Sequence, residues 1–142
     1  MPRRAFALLV GSVVWASSLI GQEPPCPPSC PNESSLFVAI YWKARAGREQ
    51  EYEAYIRKVA EPIDQEAHRA GAFEELRTYL PETPNGEWTH LRVFRFKDRT
   101  QLDTFSARME DAGKRIYPDP GTRPKADDLR DMVKREIWRG FR

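Results

Sequence analysis

The run Leu36-Phe-Val-Ala-Ile-Tyr-Trp42 is hydrophobic at every position. It is rich in β-branched and aromatic residues, which marks it as a strand. Successive side chains of a strand point to opposite faces. Leu36, Val38, Ile40 and Trp42 therefore share one face, and Phe37, Ala39 and Tyr41 share the other. A strand with one wet face alternates apolar and polar residues instead. Any fold that contains this run must cover it on both sides.

The pattern downstream shows what covers it. Gly47 breaks the strand, and Tyr52, Tyr55, Ile56, Val59, Ile63, Ala67 and Ala70 then recur at helical spacing. Glu49, Glu51 and Glu53 fall in the first turns, where the helix dipole favours acids. Pro62 either kinks this helix or starts a second segment, and Gly71 is its predicted stop. Phe73 to Leu80 reads as a second strand, more polar and nearer an edge. Pro81 to Gly86 is turn chemistry, with Asn85-Gly86 tolerant of positive φ. Trp88 to Phe96 closes a hairpin as a third strand, with His90, Arg92, Phe94 and Phe96 on one parity and Leu91, Val93 and Arg95 on the other. Thr100-Gln-Leu-Asp103 resembles a capping box ahead of a second helix through Leu102, Phe105, Met109, Ala112 and Ile116. After a proline-rich loop, Asp127 to Val133 predicts a short helix and Glu136 to Phe141 a last strand.

The order strand, helix, strand, strand, helix, strand is the α+β, ferredoxin-like βαββαβ arrangement with a four-stranded antiparallel sheet. Its helices cover one sheet face. The other face of the first strand, with Trp88, Phe94, Phe96, Trp138 and Phe141 adding aromatics, would leave a large apolar patch on a monomer. The predicted cover is a second copy, sheet against sheet, in a homodimer.

Two segments carry a family resemblance. Lys43-Ala-Arg-Ala-Gly47-Arg-Glu-Gln-Glu-Tyr52, leading into a long helix, resembles the corresponding entry in dimeric α/β-barrel proteins of the antibiotic biosynthesis monooxygenase type. Phe94-Arg-Phe96-Lys-Asp98, followed by Leu102 and Phe105, resembles that family's third strand and second-helix entry. The resemblance implies a homodimer, the dimeric α/β barrel, with a ligand cleft in each protomer between sheet and helices. Relatives include cofactor-independent monooxygenases of aromatic polyketides, haem-degrading enzymes and proteins of no known activity. The haem-degrading members use an Asn on the first strand, a Trp on the third and a His on the second helix. The first strand here has no Asn and the second helix no His, so that role is not implied. No cofactor follows from the resemblance.

Ahead of the domain, residues 1–21 combine basic Arg3 and Arg4, an uncharged apolar run from Ala5 to Ile20 and small residues at its end. This reads as a signal peptide, cleaved near Ala16 or Gly21, and as export to the periplasm or outside the cell. The alternative is an uncleaved N-terminal anchor, the one way this chain would meet a membrane. Residues 22–34 form a proline-rich linker that holds both cysteines, Cys26 and Cys30. An oxidising compartment makes a local Cys26–Cys30 disulfide the first reading. Asn32-Glu-Ser34 matches the N-glycosylation tripeptide. Residues 35–142 are the domain.

The formal net charge of the whole chain is +2, and without Arg3 and Arg4 it is neutral. Such a balance, with no RNA-recognition strand signature, excludes a dedicated nucleic-acid binder. Residues 92–142 carry 14 basic against 9 acidic groups, an excess compatible with an anionic ligand or with ordinary solvated surface. The sequence holds no phosphate loop, nucleophile elbow or metal-ligand cluster. Its two histidines are His68 and His90. His68 falls near the end of the first helix, where the dipole favours it. His90 shares a strand face with Arg92, Phe94 and Phe96, so it is the candidate general base, with Arg92 and Phe94 as ligand-binding candidates beside it. Tyr41, Trp42 and Tyr79 are candidates for lining the same cavity, a core or dimer-interface role being the alternative. On this reading Arg92 and His90 serve a small aromatic or anionic ligand, and removing either leaves the core intact. A non-catalytic binding or interaction protein on the same scaffold is the second reading.

Overall fold

The computed structural model describes residues 35–83 and 86–140. The expected signal segment, the expected linker with Cys26 and Cys30, the tripeptide Asn32-Glu-Ser34, Asn85 and Phe141 lie outside the described residues. The chain forms β1 (Leu36–Ala44), α1 (Glu49–Tyr55), a π-turn (Ile56–Ala60), α2 (Glu61–Arg69), β2 (Glu75–Tyr79), β3 (His90–Phe96), α3 (Arg99–Ile116), a 3₁₀ turn (Pro120–Thr122) and β4 (Arg130–Arg139). The strands make one antiparallel sheet in the order β2-β3-β1-β4, the ferredoxin-like arrangement. Among the described residues no helix is long and apolar enough to cross a membrane.

Register explains the doubly apolar first strand. Val38 opposes Phe94 and Ile40 opposes Arg92 on the face that the helices cover. Val38, Phe94 and Phe96 meet Val59, Ile63 and Ala67 from the first helical arm and Leu102 and Phe105 from α3. The centre is aromatic, with the Phe105 ring 5.0 Å from Phe94 and 5.1 Å from Phe96, and Phe73 5.1 Å from Phe94. The opposite face carries Phe37, Ala39 and Tyr41 of β1, Leu91 and Val93 of β3 and Trp138 of β4. No helix of the described chain lies over it, and Trp138 stays 42% exposed.

Pro62 starts a second segment of the helical arm without ending it. It sits in the first turn of α2, just after the π-turn, where Glu61 N–H already donates to Ile56 O, five residues back. A π-turn is a helix carrying one extra residue. The buried stripe runs through it, from Tyr52 by Ile56 and Val59 to Ile63 and Ala67. Gly71 stops the arm with φ +74°, a backbone state that favours glycine.

Two expectations are corrected. The cap of α3 is Asp98, whose carboxylate accepts Gln101 N–H at 2.8 Å, and Thr100 lies inside the first turn. Gln101 answers by accepting Lys97 N–H at 2.8 Å, so the box is displaced upstream by two residues. No helix forms over residues 127–133. Arg130 to Val133 instead begin β4, which pairs with β1 from Ala44 onward. β4 is an edge strand, exposed along most of its length. Its charges, Asp131, Lys134, Arg135, Glu136 and Arg139, guard an edge that would otherwise invite another strand.

Candidate functional site

The helical arm α1–α2 covers the sheet incompletely on the side of β2 and β3. Beneath it run three adjoining cavities. The first, about 490 Å³, is lined by Glu61, Asp64, His68, Phe73, Thr78 and Arg92 among others. The second, about 230 Å³, shares Glu61 and Thr78 with it and adds Glu53, Arg57 and His90. The third, about 460 Å³, shares Glu53, Leu80 and His90 with the second and reaches Trp88 and Gly86. They form a groove along the β2 edge, polar at one end and apolar at the other, with His90 where the second and third meet.

Strand parity puts His90 and Arg92 on the inner face, in line with Phe94 and Phe96. Both are buried, at 3% and 7% exposure. Arg92 Nη2 donates to the Asp64 carboxylate, itself buried in α2. Burial pushes the Asp64 carboxyl up, although the Arg92 charge and hydrogen bond oppose the shift. The Arg92 side chain lies 5.3 Å from the centre of the Phe94 ring. Its Nε finds no hydrogen-bond partner among the described residues. Arg92 is therefore not a cation held ready for an anionic ligand. It is half of a buried ion pair that ties α2 to the sheet, and the expectation that the core ignores its loss is corrected. A buried charge left without its partner is strongly destabilising.

His90 is set differently. The Tyr52 ring meets it edge-on at 4.7 Å. Its Nδ1 lies 2.9 Å from Thr89 Oγ1, and its Nε2 is buried with no partner among the described residues. Burial lowers its pKa, helped by the charges of Arg130 and Arg92 and opposed by Glu53. His90 therefore resists protonation more than a solvated histidine does. A neutral imidazole whose second nitrogen is uncommitted, on the wall of a groove, can accept one hydrogen bond or one proton.

The other candidates divide by face. Phe94 fills the core, and Phe73 lines the groove in its place. Trp42 is on the inner face, but Arg130 lies over its ring at 3.5 Å and donates to Tyr52 Oη at 2.6 Å, closing it off in a small cluster with Tyr55. Tyr41 and Tyr79 both oppose Leu91, on the outer face, so parity forbids them the cavity of His90. Tyr41 instead meets Trp88 edge-on at 5.7 Å. His68 is exposed at the groove's rim, its Nε2 3.2 Å from Glu74 O. Asp64, Glu53, Thr78 and Thr89 are site residues that the sequence reading lacks. Asp64 had a faint signal: it follows Ile56 and Ala60 at spacings of four, beside the apolar stripe.

The structure is similar to that of HapK from Hahella chejuensis, with a TM-score of 0.53 and 10% identity over 75% of this chain and 92% of that one. It is similar to a dimeric protein of unknown function and ferredoxin-like fold from Bacteroides fragilis NCTC 9343, with a TM-score of 0.54 and 11% identity over 75% of this chain and 97% of that one. The fold is ferredoxin-like. No family model matches the chain, and no curated protein matches it significantly. At such identities the likeness speaks for the fold alone.

Proposed function

We propose that this chain is an exported, homodimeric small-molecule-binding protein, on the scaffold that its resemblance to the antibiotic biosynthesis monooxygenase type implies. The observation that carries this reading is His90: buried, kept from protonating, lining two of the three cavities, and with an Nε2 that has no partner among the described residues. Buried polar atoms normally have partners, and a partner missing from the protein is one a ligand can supply. The groove's charge favours a neutral ligand. Glu49, Glu53, Glu61, Asp64, Glu74 and Glu75 line it against Lys43, Arg57 and Arg92, and the Arg57 and Arg92 charges are already paired with Glu53 and Asp64. Leu80, Pro81 and Trp88 at the other end suit an aromatic or alicyclic body. Cofactor-independent, monooxygenase-like chemistry, with His90 as its candidate general base, is the catalytic extension of this reading.

Two further features support the rest of it. The outer face, over which no described helix lies, carries Phe37, Leu91, Val93 and an exposed Trp138 and suits a second copy, and one similar structure is of a dimeric protein. The basic start, the apolar run and the small residues after it support export.

Calorimetric titration of the full chain with a panel of neutral aromatic alcohols and ketones tests the binding. Saturable one-site binding is expected, and Thr78→Trp, which fills the passage shared by two of the cavities, should abolish it. No binding across the panel, or binding that ignores Thr78→Trp, would overturn the reading.

A further inference from the structure

Thr89 stands between β1 and the histidine of the groove. Its backbone N–H donates to Trp42 O at 2.9 Å, which fixes the residue at the head of β3. Its hydroxyl has three neighbours: Ala44 N–H donates to it at 2.8 Å, Trp42 O lies 3.3 Å away, and His90 Nδ1 lies 2.9 Å away. A hydroxyl has one hydrogen and two lone pairs. Ala44 N–H uses one lone pair. With the hydrogen on Trp42 O, the second lone pair is filled by a donor, and Nδ1 must carry the proton. The other arrangement gives the hydroxyl hydrogen to Nδ1 and places the ring proton on Nε2. That leaves a buried N–H with no acceptor, since Nε2 has no partner among the described residues. Orphaned buried N–H groups are the rarer defect in native structures.

We infer that Thr89 is a positioning residue that holds His90 as the Nδ1–H tautomer, so that the groove presents a lone pair at Nε2 and selects ligands that donate a hydrogen bond over ligands that are anionic. The inference rests on the binding role proposed for the groove and adds which kind of group the ligand turns toward His90. Thr89 need not touch the ligand. It acts through the ring, as the partner of the other nitrogen commonly does. A carboxylate would face the Nε2 lone pair with lone pairs of its own, beside Glu61 and an Arg57 whose charge is already paired with Glu53, whereas a neutral hydroxyl would supply the missing donor.

The test uses the full chain and two probes of one shape, 2-naphthol and 2-naphthoate. Long-range proton–nitrogen correlation spectra, with His68→Gln to separate the two rings, read the tautomer of His90 directly above its titration. The parent should show Nδ1–H. Thr89→Ser, which keeps the hydroxyl, should keep that signature, and Thr89→Val should lose it. The parent should bind 2-naphthol at least tenfold more tightly than 2-naphthoate, with the preference retained in Thr89→Ser and lost in Thr89→Val. An Nε2–H ring in the parent overturns the inference with no variant needed, as does an unchanged Nδ1–H signature in a folded Thr89→Val. Tighter binding of 2-naphthoate overturns the selection while sparing the groove. A parent with Nδ1–H that binds neither probe overturns the selection and, with the neutral panel also silent, the binding role, and leaves the Thr89–His90 assignment supported.

Discussion

The two halves of β3 are buried alike and built differently. His90 and Arg92 are 3% and 7% exposed, Phe94 and Phe96 2% and 0%. All four point to the same side of the sheet. The phenylalanines meet Phe73 and Phe105 at ring distances near 5 Å. His90 and Arg92 meet a ring edge, a carboxylate and a groove. Low exposure thus describes two environments. In one the neighbours close over the side chain, and in the other polar side chains are sunk into the wall of an accessible space.

Substitutions along β3 should separate those environments, and the largest effects make the sharpest cut. Phe94→Ala should cost about 3–5 kcal/mol by leaving a void in a closed core. Arg92→Ala should cost a similar amount, about 3–5 kcal/mol, for a different reason: it strands the buried Asp64 carboxylate. Urea unfolding tells them apart. The double change Arg92→Leu with Asp64→Leu should recover most of the second loss, and nothing at Asp64 should recover the first. An Arg92→Ala protein as stable as the parent would break the comparison.

Next in size is His90. His90→Ala should weaken a hydroxyl-donating ligand by about 1–3 kcal/mol, the range for a buried polar group deprived of its partner. Its own unfolding midpoint should move much less than that of Phe94→Ala. Equal losses of stability at the two positions would mean that the groove end of β3 is ordinary core.

The outer face offers a control, since substitutions there should touch neither half. Light scattering on residues 35–142 should give twice the chain mass. Trp138→Glu, on the uncovered face, should raise the dimer dissociation constant tenfold or more, about 1.4 kcal/mol, and leave the groove's binding per protomer intact. A parent that is monomeric at micromolar concentration removes the dimer from the proposal.

The smallest effect is on pH dependence, and its sign follows from the two buried titrating groups. His90 has a folded-state pKa below its ordinary 6.5, so the stability it contributes is present above that value and lost as pH falls through the lowered one. Asp64 is raised above its ordinary 3.8, so its contribution is present below that value and lost as pH rises through the raised one. Thermal melts from neutral to mildly acid pH should fall less in His90→Gln than in the parent. A parallel fall in both would show that His90 is not the buried neutral group described.

The fold was legible because parity and spacing are local. Val38 and Phe94 declare their side of the sheet by position alone, and the arm from Tyr52 to Ala67 by its period. Three things were not local. Asp64 looks like any acid on a helix until β3 brings Arg92 to it, 28 residues away in sequence. β4 hides its first half because an edge strand needs no buried residues, so Arg130-Asp-Met-Val-Lys-Arg has no strand alternation to read. Tyr41 and Tyr79 are strand aromatics of the kind that line cavities. Parity already separates Tyr41 from Trp42, and the register, which pairs both tyrosines with Leu91, puts Tyr79 on the same outer face.

The extra residue in the helical arm also limits how the gene can change. Deleting any one codon within Ile56–Ala60 would remove the extra residue that the π-turn carries. It would also swing everything beyond by about 100° around the axis. Asp64 would leave Arg92, and Ile63 and Ala67 would leave the core. Tyr52 is held by Arg130 at one end and Asp64 by Arg92 at the other, so neither end is free to turn and absorb the change. The arm works as a spacer of fixed phase. Its length in residues is set less by what the π-turn touches than by the angle it keeps between its two anchors.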